Sequence, residues 1–188
     1  MEDIRRFLQI VEGKQTKLSQ ESLPYTREEL DPVMSKDTLD YHYGKLARAY
    51  VDRYNKGEGD PKFNHNGAVL HNIFFSGLKE PANNNKPSGA SKELIERKFG
   101  SFDKFKEAVV KEAMSIQGSG WIFVDSAGNI RTIVNHNLTG NADRIALLID
   151  WWEHAWALDY QADKKKYLEN HWRIINWDMV NQRLLNKN

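Results

Sequence analysis

Apolar residues along the chain follow a helical period first, a strand period later, and a helical period again at the end. Over residues 36–55 and 63–78 they recur every three or four positions, which predicts two helices. The glycines and proline of residues 57–61 break the pattern between them. Two helices joined by so short a loop pack as an antiparallel hairpin. Two more helical patterns follow over residues 91–99 and 101–115.

Beyond residue 117 the period shortens to that of strands. Residues 118–125, 129–134 and 145–149 are β-rich runs, and Ser126-Ala-Gly-Asn between the first two is typical of a hairpin turn. Helical patterns return at residues 153–158 and 164–176. The chain therefore predicts an α+β fold: an N-terminal antiparallel helical hairpin lobe, then a lobe with a small three-stranded antiparallel sheet flanked by helices.

A stretch rich in turn-forming residues, 79–91, separates the two predicted lobes. We expect an N-terminal extension at residues 1–20, a hairpin lobe at 21–80 and an α+β lobe at 91–188. Within the extension, residues 2–12 form one apolar helical face followed by a polar linker. We expect this amphipathic helix to dock on the body of the protein, or on a protein partner through residues 1–13.

The composition narrows the chemistry. The 188 residues include no cysteine, so any metal must be held by imidazole, carboxylate or water. The net charge of +1 gives no global field that would attract nucleic acid. No apolar run approaches the length of a membrane helix and no secretory signal is recognisable, so a cytoplasmic protein is expected.

Four residues are candidates for a metal site. His42 and His71 lie on the apolar faces of the two hairpin helices, so their imidazoles can meet across the hairpin. Asp150 ends an apolar strand, and His154 follows it among tryptophans. Burying these groups is costly unless a cation pairs with them. Three histidines and one aspartate suit iron or manganese, and also zinc. In the alternative interpretation, Asp150 caps a helix and accepts a hydrogen bond from His154.

The run Asp150-Trp-Trp-Glu-His-Ala is similar to the signature of iron and manganese superoxide dismutases. The likeness covers about Leu23 to Leu185. Its other motifs are Leu23-Pro-Tyr25, Leu30-Asp-Pro32, Tyr41-His-Tyr-Gly-Lys45, Tyr50-Val51, His71-Asn-Ile-Phe-Phe75, Gln117-Gly-Ser-Gly-Trp121, and Trp172 with Ile175-Asn-Trp177.

The resemblance implies a ligand set and a reaction. His42, His71, Asp150 and His154 would hold one iron or manganese ion per subunit, with a solvent molecule as fifth ligand. The chain would be an oxidoreductase that disproportionates superoxide to dioxygen and hydrogen peroxide. The oxidised metal would take an electron from one superoxide, and the reduced metal would pass it to a second, consuming two protons.

The resemblance also assigns catalytic roles to Tyr50 and His136. Tyr50 matches the family's tyrosine at the mouth of the substrate channel. His136 falls where manganese members usually carry a glutamine that contacts the bound solvent, and where some iron or metal-interchangeable members carry histidine. Gly67 occupies the position from which typical iron members supply their glutamine. The outer-sphere donor is therefore expected from His136, and the mixed pattern slightly favours iron.

Some positions depart from the family pattern. Leu46 and Ala47 stand where the family commonly has two histidines, and Ala157 replaces a tyrosine that contacts the neighbouring subunit. Glu153 is retained; in the family it reaches the ligand histidine of the partner subunit. This implies a homodimer with Glu153 near the interface. Alternatively, Glu153 is simply an exposed glutamate at the start of a helix.

A second function remains open beside catalysis. The extension and the missing channel residues also fit a structural protein that keeps the superoxide dismutase fold with reduced or no activity. Residues 7–13 have a likeness to leader segments of some tailed-phage proteins, which implies a particle-associated version. A zinc hydrolase is less consistent, because no clear general base stands beside the site.

Overall fold

The computed structural model describes residues 16–186. The predicted amphipathic helix at residues 2–12, and the partner contact expected at residues 1–13, lie outside the described residues. Among those described, no helix is long and apolar enough to cross a membrane.

The first part of the structure is the predicted helical hairpin. Ser35 begins it, because its hydroxyl oxygen accepts a hydrogen bond from the amide of Thr38. Asp60 caps the second arm in the same way through the amide of Phe63. The helical segments are α1 (Lys36–Tyr41), a π-helical segment (His42–Ala47), α2 (Arg48–Lys56) and α3 (Pro61–Ser76).

The first arm differs from the single helix predicted over residues 36–55. Its middle, His42–Ala47, is π-helical, so the backbone is locally wider than in an α-helix. Such insertions occur often at functional sites, and this one begins at a candidate metal ligand.

Residues 16–22, predicted to be a linker, lie along this hairpin. The side chain of Asn55 makes two hydrogen bonds of 2.8 Å with the backbone of Leu18: Oδ1 accepts from the Leu18 N–H, and Nδ2 donates to the Leu18 carbonyl. The side chain of Asn72 likewise bridges the amide of Glu21 and the carbonyl of Ser19. Both helical arms therefore hold the same extended segment.

The second part contains helices and a three-stranded sheet, so the predicted α+β class is confirmed. Both strand pairs are antiparallel, and the strand order is β2-β1-β3. The carboxylate of Asp125 accepts hydrogen bonds from the amides of Ala127 and Asn129, which forms the predicted hairpin turn. The elements are α4 (Gly89–Phe99), α5 (Phe102–Ser115), β1 (Gly120–Asp125), β2 (Ile130–Val134) and β3 (Ile145–Asp150).

The helices of the C-terminal part are shorter and more often interrupted than predicted. The segment predicted as a helix over residues 153–158 is a 3-10 turn (Glu153–Ala155) followed by α6 (Ala157–Tyr160). The helix predicted over residues 164–176 ends early, as α7 (Lys164–His171), and a further helix follows, α8 (Trp177–Leu185).

The prediction of helix over residues 172–176 was wrong because donors from a distant part of the chain bind the carbonyls of this segment. The side-chain amide of Asn85 donates to the carbonyls of Trp172 and Ile175, both at 2.8 Å. The amide of Lys79 donates to the carbonyl of Ile174 at 2.8 Å. Tertiary contacts therefore replace the local hydrogen bonds that a helix would need.

One hydrophobic cluster joins the hairpin to the sheet. Leu39 of α1, Phe74 of α3, Trp121 of β1 and Ile149 of β3 are all buried within it. All residues of β3 are buried. The packing of α3 against β3 brings the middle of the hairpin close to this edge strand of the sheet.

Candidate metal centre

The structure brings together the four predicted ligands from four different elements. His42 begins the π-helical segment, and His71 lies in the middle of α3. Asp150 is the last residue of β3, and His154 belongs to the 3-10 turn that follows. One candidate ligand atom from each residue lies within 4.8 Å of all the others.

The side chains converge on one carboxylate oxygen. Asp150 Oδ2 lies 3.0 Å from His42 Nε2, 3.4 Å from His154 Nε2 and 3.7 Å from His71 Nε2. All four atoms are buried and lack hydrogen-bond partners among the described residues, because these approaches do not have hydrogen-bond geometry. Buried polar atoms are normally paired, so four unpaired atoms facing one point require a common partner.

Surrounding hydrogen bonds fix two of the ligands. His71 Nδ1 donates to the carbonyl of Gly67 at 2.6 Å, which leaves the lone pair of Nε2 free. Asp150 Oδ1 accepts from the amide of Trp152 at 2.7 Å. The hydroxyl of Tyr167 donates to the Asp150 carbonyl at 2.9 Å. The alternative interpretation, in which Asp150 caps a helix, differs from the structure: the 3-10 turn has Trp152 at its N-cap position, with no side-chain cap. The Oδ1 atom of Asp150 instead accepts from the Trp152 amide two residues on, which leaves Oδ2 for the cluster.

The local electrostatics suit a cation. Burial, with repulsion from His154, lowers the pKa of His42 to about 4, and burial lowers the pKa of His71 well below its usual value. Burial would raise the pKa of Asp150, but His154 and His42 outweigh it and hold that pKa well below its usual range. At neutral pH His42 and His71 are neutral and Asp150 is ionised, which are the forms that bind a metal.

This donor set fits iron or manganese. Three imidazole nitrogens and one carboxylate oxygen match intermediate first-row metals, and the described residues offer no thiolate. The four candidate ligand atoms lie within 4.8 Å of one another, close enough for one such ion to bind all of them.

Aromatic rings enclose the cluster. The ring of Phe75 lies 4.8 Å from that of His42, and Trp121 meets His71 edge-on at 5.0 Å. The indole of Trp152 stacks on His154 at 5.6 Å. Trp121 and Trp152 thus contact candidate ligands directly and restrict the access of water to them.

Two family models match the chain on either side of the boundary predicted near residue 80. The α-hairpin domain of iron/manganese superoxide dismutases matches residues 17–61, and their C-terminal domain matches residues 87–183. The chain belongs to the iron/manganese superoxide dismutase family.

Individual members of the family are similar over most of their length. An iron superoxide dismutase of Pyrobaculum aerophilum is 34% identical, over 86% of this chain and 89% of its own. One from Bordetella pertussis is 36% identical, over 84% of this chain and 94% of its own. A relative from Porphyromonas gingivalis, named a manganese/iron superoxide dismutase, is also 36% identical, over 86% and 96%.

Both residues predicted to be catalytic lie beside the cluster of this superoxide dismutase family member. Tyr50 stacks on His71 with ring centroids 5.3 Å apart, and burial raises its pKa to about 12. His136 is fully buried, and burial lowers its pKa to about 4, so its imidazole is neutral at pH 7. The rings of Tyr50 and His136 meet edge-on at 4.8 Å.

The tautomer of His136 follows from one hydrogen bond. Trp121 Nε1, which can only donate, lies 3.1 Å from His136 Nδ1. In the neutral ring the proton must then be on Nε2, which is buried and has no partner among the described residues. His136 therefore offers one N–H donor within the aromatic enclosure.

Gly67 makes room for this arrangement. A Cβ atom at position 67 would lie 2.9 Å from Tyr50 Cγ and 3.2 Å from His136 Cδ2. A longer side chain at this position would collide with both rings. The family resemblance implies that the outer-sphere donor comes from position 136 and not from position 67. The contacts explain why: a side chain at position 67 would need the space that the ring of His136 occupies.

The positions that depart from the family pattern differ in burial: Leu46 and Ala157 are partly buried and Ala47 is buried, whereas the retained Glu153 is exposed. Lys164 Nζ lies over the rings of Trp156 at 5.1 Å and Trp151 at 5.5 Å, beside the segment that contains Asp150 and His154.

Sequence reasoning missed two polar groups near the site. Tyr167 binds the carbonyl of Asp150, and Asn66 binds the carbonyl of His136 at 2.8 Å. Tyr167 was hidden among the apolar positions of a helical pattern. Asn66 gave no signal, because a single amide on a helix follows no period.

Proposed function

We propose that this chain is an active superoxide dismutase that disproportionates superoxide at one iron or manganese ion held by His42, His71, Asp150 and His154. The observation that carries the proposal is the convergence of four buried, unpaired ligand atoms within 4.8 Å of one another, in a chain of this family. The bound ion would supply one-electron redox chemistry between two oxidation states.

The protein's own part is to bind the ion and keep its ligands in the right form. The hydrogen bond from His71 Nδ1 to Gly67 directs Nε2 toward the ion. The bond from the Trp152 amide to Asp150 Oδ1 orients the carboxylate so that Oδ2 faces inward. Because the ligands come from both the hairpin and the sheet, the ion also joins the two parts of the molecule.

Tyr50 and His136 would control proton transfer at the metal site and the access of substrate to it. His136 Nε2–H is a donor directed within the enclosure, suited to a hydrogen bond with a solvent ligand. Such bonds tune both the acidity of that solvent and the reduction potential. Tyr50 retains 8% exposure, which fits a residue between the buried cluster and solvent. We assign these two residues the catalytic roles.

We further propose that iron is the preferred metal. This preference rests on the family resemblance, in which some iron or metal-interchangeable members carry histidine where this chain has His136. The space that His136 fills leaves no room for a donor side chain at position 67. The relatives include proteins named for iron and for manganese/iron. Iron and manganese forms should therefore both assemble, with the iron form more active.

The exposed edge of the centre supports a homodimer. The side chain of His154 is 12% exposed, whereas those of His42, His71 and Asp150 are 0–1% exposed. A second copy that placed its Glu153 against His154 would complete this burial. Light scattering should give twice the mass of the chain, and Glu153→Gln should weaken the association. A cytoplasmic location stays a prediction.

The central test is elemental analysis paired with superoxide decay. The chain is prepared separately with iron and with manganese, and each form is assayed for metal content and for acceleration of superoxide decay. We expect one equivalent of metal per chain and rapid decay, fastest with iron.

A protein that binds one equivalent of metal but leaves superoxide decay unchanged would overturn the proposal. That result would favour the alternative, a structural or particle-associated protein that retains the fold. The matched control is Asn64→Ala, because Asn64 is a buried residue of α3 whose side chain donates to Glu58, away from the cluster.

A further inference from the structure

His136 lies in a loop whose backbone has an unusual shape. The loop follows β2, and Asn135 has a φ of +52°, in the left-handed region that non-glycine residues rarely adopt. Asparagine tolerates this region better than most residues. The amide of Leu138 then donates to the carbonyl of His136, two residues back, at 2.8 Å. The turn places the imidazole of His136 inward while its neighbours Asn135 and Asn137 stay exposed.

The imidazole ring itself is held on several sides. The indole of Trp152 stacks on it at 4.5 Å, and the ring of Phe63 lies at 4.7 Å. Trp121 donates to Nδ1. These contacts fix the plane of the ring, but the backbone that carries it needs a separate support.

Asn66 provides a backbone contact from the opposite part of the molecule. It lies on α3 and is 8% exposed. Its Nδ2 donates to the carbonyl of His136 at 2.8 Å, with a second, longer approach of 3.5 Å to the carbonyl of Leu138. Two carbonyls can only accept, so the amide nitrogen must face them. Its Oδ1 lies 3.4 Å from His65 Nδ1.

One turn of α3 therefore serves the centre in three ways. Asn66 holds the backbone of His136, Gly67 leaves the space that the ring of His136 occupies, and the carbonyl of Gly67 accepts from the ligand His71. Any shift of the loop relative to α3 would change the distance between His136 Nε2 and the ligand cluster.

We propose that Asn66 is a positioning residue that sets the place of His136 Nε2 relative to the metal ligands by holding the His136 carbonyl. The proposal deepens the proposed function and rests on it. Groups that orient a residue near a metal change affinity or activity by about 10- to 100-fold when removed. Asn66 acts only through His136, so its removal should lie at the lower end of that range.

The test compares Asn66→Ala with the matched variant Asn64→Ala. Both remove a buried amide of α3 that donates to a backbone carbonyl at 2.8 Å, but Asn64 binds Glu58. We expect Asn66→Ala to bind one equivalent of metal, lose about tenfold in turnover, and shift both the visible absorption band and the reduction potential of the metal. Asn64→Ala should leave all of these unchanged.

A double-mutant cycle separates positioning from general damage. In a His136→Ala background, Asn66→Ala should cause no further change in absorption, potential or turnover. If Asn66→Ala in the native background matches Asn64→Ala, or if its effects persist without His136, the proposal is wrong. Asn66→Asp keeps the side-chain shape but removes the donor when ionised, so it serves if the alanine variant does not fold.

The readouts also distinguish this proposal from the proposed function. If the native protein binds metal without accelerating superoxide decay, the proposed function fails. The absorption band, the potential and the crystallographic position of His136 in Asn66→Ala still decide whether Asn66 positions it.

Discussion

The cluster around Asp150 and the pocket around His171 both bury imidazole, but with opposite consequences. In the cluster, three Nε2 atoms face one carboxylate oxygen. At the C-terminal end of α7, His171 is fully buried, and neither of its ring nitrogens has a partner among the described residues. Its ring stacks on Phe74 at 5.7 Å and lies 5.3 Å from that of Tyr167.

Phe74 separates the two environments. Its ring is 5.6 Å from that of His42 on one side and 5.7 Å from that of His171 on the other. Unpaired polar atoms that converge on one point form a site for a cation. Unpaired polar atoms that converge with no other ligand atoms, such as those of His171, carry only the free-energy cost of desolvation. Convergence, rather than burial, is therefore what marks the metal centre.

The largest expected effect is at the point of convergence. Asp150→Asn keeps the shape of the side chain but removes the negative charge that three imidazoles face. We expect loss of the bound metal and a fall in turnover of more than about 100-fold, since removing groups that merely orient a ligand costs about 10- to 100-fold. Elemental analysis measures the bound metal, and the rate of superoxide decay measures the turnover. Retention of metal and activity would show that the ion binds elsewhere.

Metal binding should stabilise the fold strongly. Because the ligands come from α3, β3 and the segments beside them, the ion binds the folded chain only. At a free metal concentration about 1,000 times Kd, the free energy of unfolding should rise by about 4 kcal/mol. Urea unfolding with and without metal measures the gain. His171→Leu should show the same gain and Asp150→Asn none; a gain reduced by His171→Leu would mean that His171 contributes to binding.

Replacing His171 should stabilise the protein. His171→Leu removes two buried unpaired nitrogens and keeps an apolar side chain of similar size. We expect the free energy of unfolding to rise by about 1–3 kcal/mol, the cost of a buried unsatisfied group, with metal content unchanged. Urea unfolding of the two proteins measures the difference. A loss of stability would show that His171 makes a polar contact that compensates for its burial.

The same substitution should remove part of the acid sensitivity. Burial lowers the pKa of His171 to about 3 from an ordinary value of 6.5. The unfolded chain therefore takes up a proton below about pH 6.5, where the folded chain does not, and folding stability falls with falling pH. Between pH 6 and pH 5 the advantage of His171→Leu over the native chain should grow by about 1.2 kcal/mol. A constant difference would contradict the buried, neutral state of His171.

The cluster of candidate ligands was predictable because its residues lie where an apolar pattern makes a polar residue anomalous. His42 and His71 stand on apolar helical faces, and Asp150 ends a fully buried strand. His171 stands in an equally apolar pattern with Tyr167 and Leu168, yet nothing in the sequence shows that its nitrogens lie outside the cluster of candidate ligand atoms. The candidate ligands and His171 differ in the direction of their polar atoms, and the periodicity of a sequence carries no information on that direction.

The fold was predictable where local hydrogen bonds determine it. The hairpin and the strands follow their periods, and Ser35 caps the first helix as its sequence suggests. The segment Trp172–Asn176 continues a helical period but is held by Lys79 and Asn85, far away in the chain. The π-helical turn at His42 and the hydrogen bond from Asn66 to the carbonyl of His136 depend likewise on tertiary contacts.

The most direct test of the comparison is a crystal structure with anomalous diffraction recorded on both sides of the iron and manganese absorption edges. We expect one peak per chain, bonded to Asp150 Oδ2 and to the Nε2 atoms of His42, His71 and His154. No peak should lie beside His171. A chain that contains one equivalent of metal by elemental analysis but shows no peak among these four atoms, or shows it elsewhere, would contradict the account.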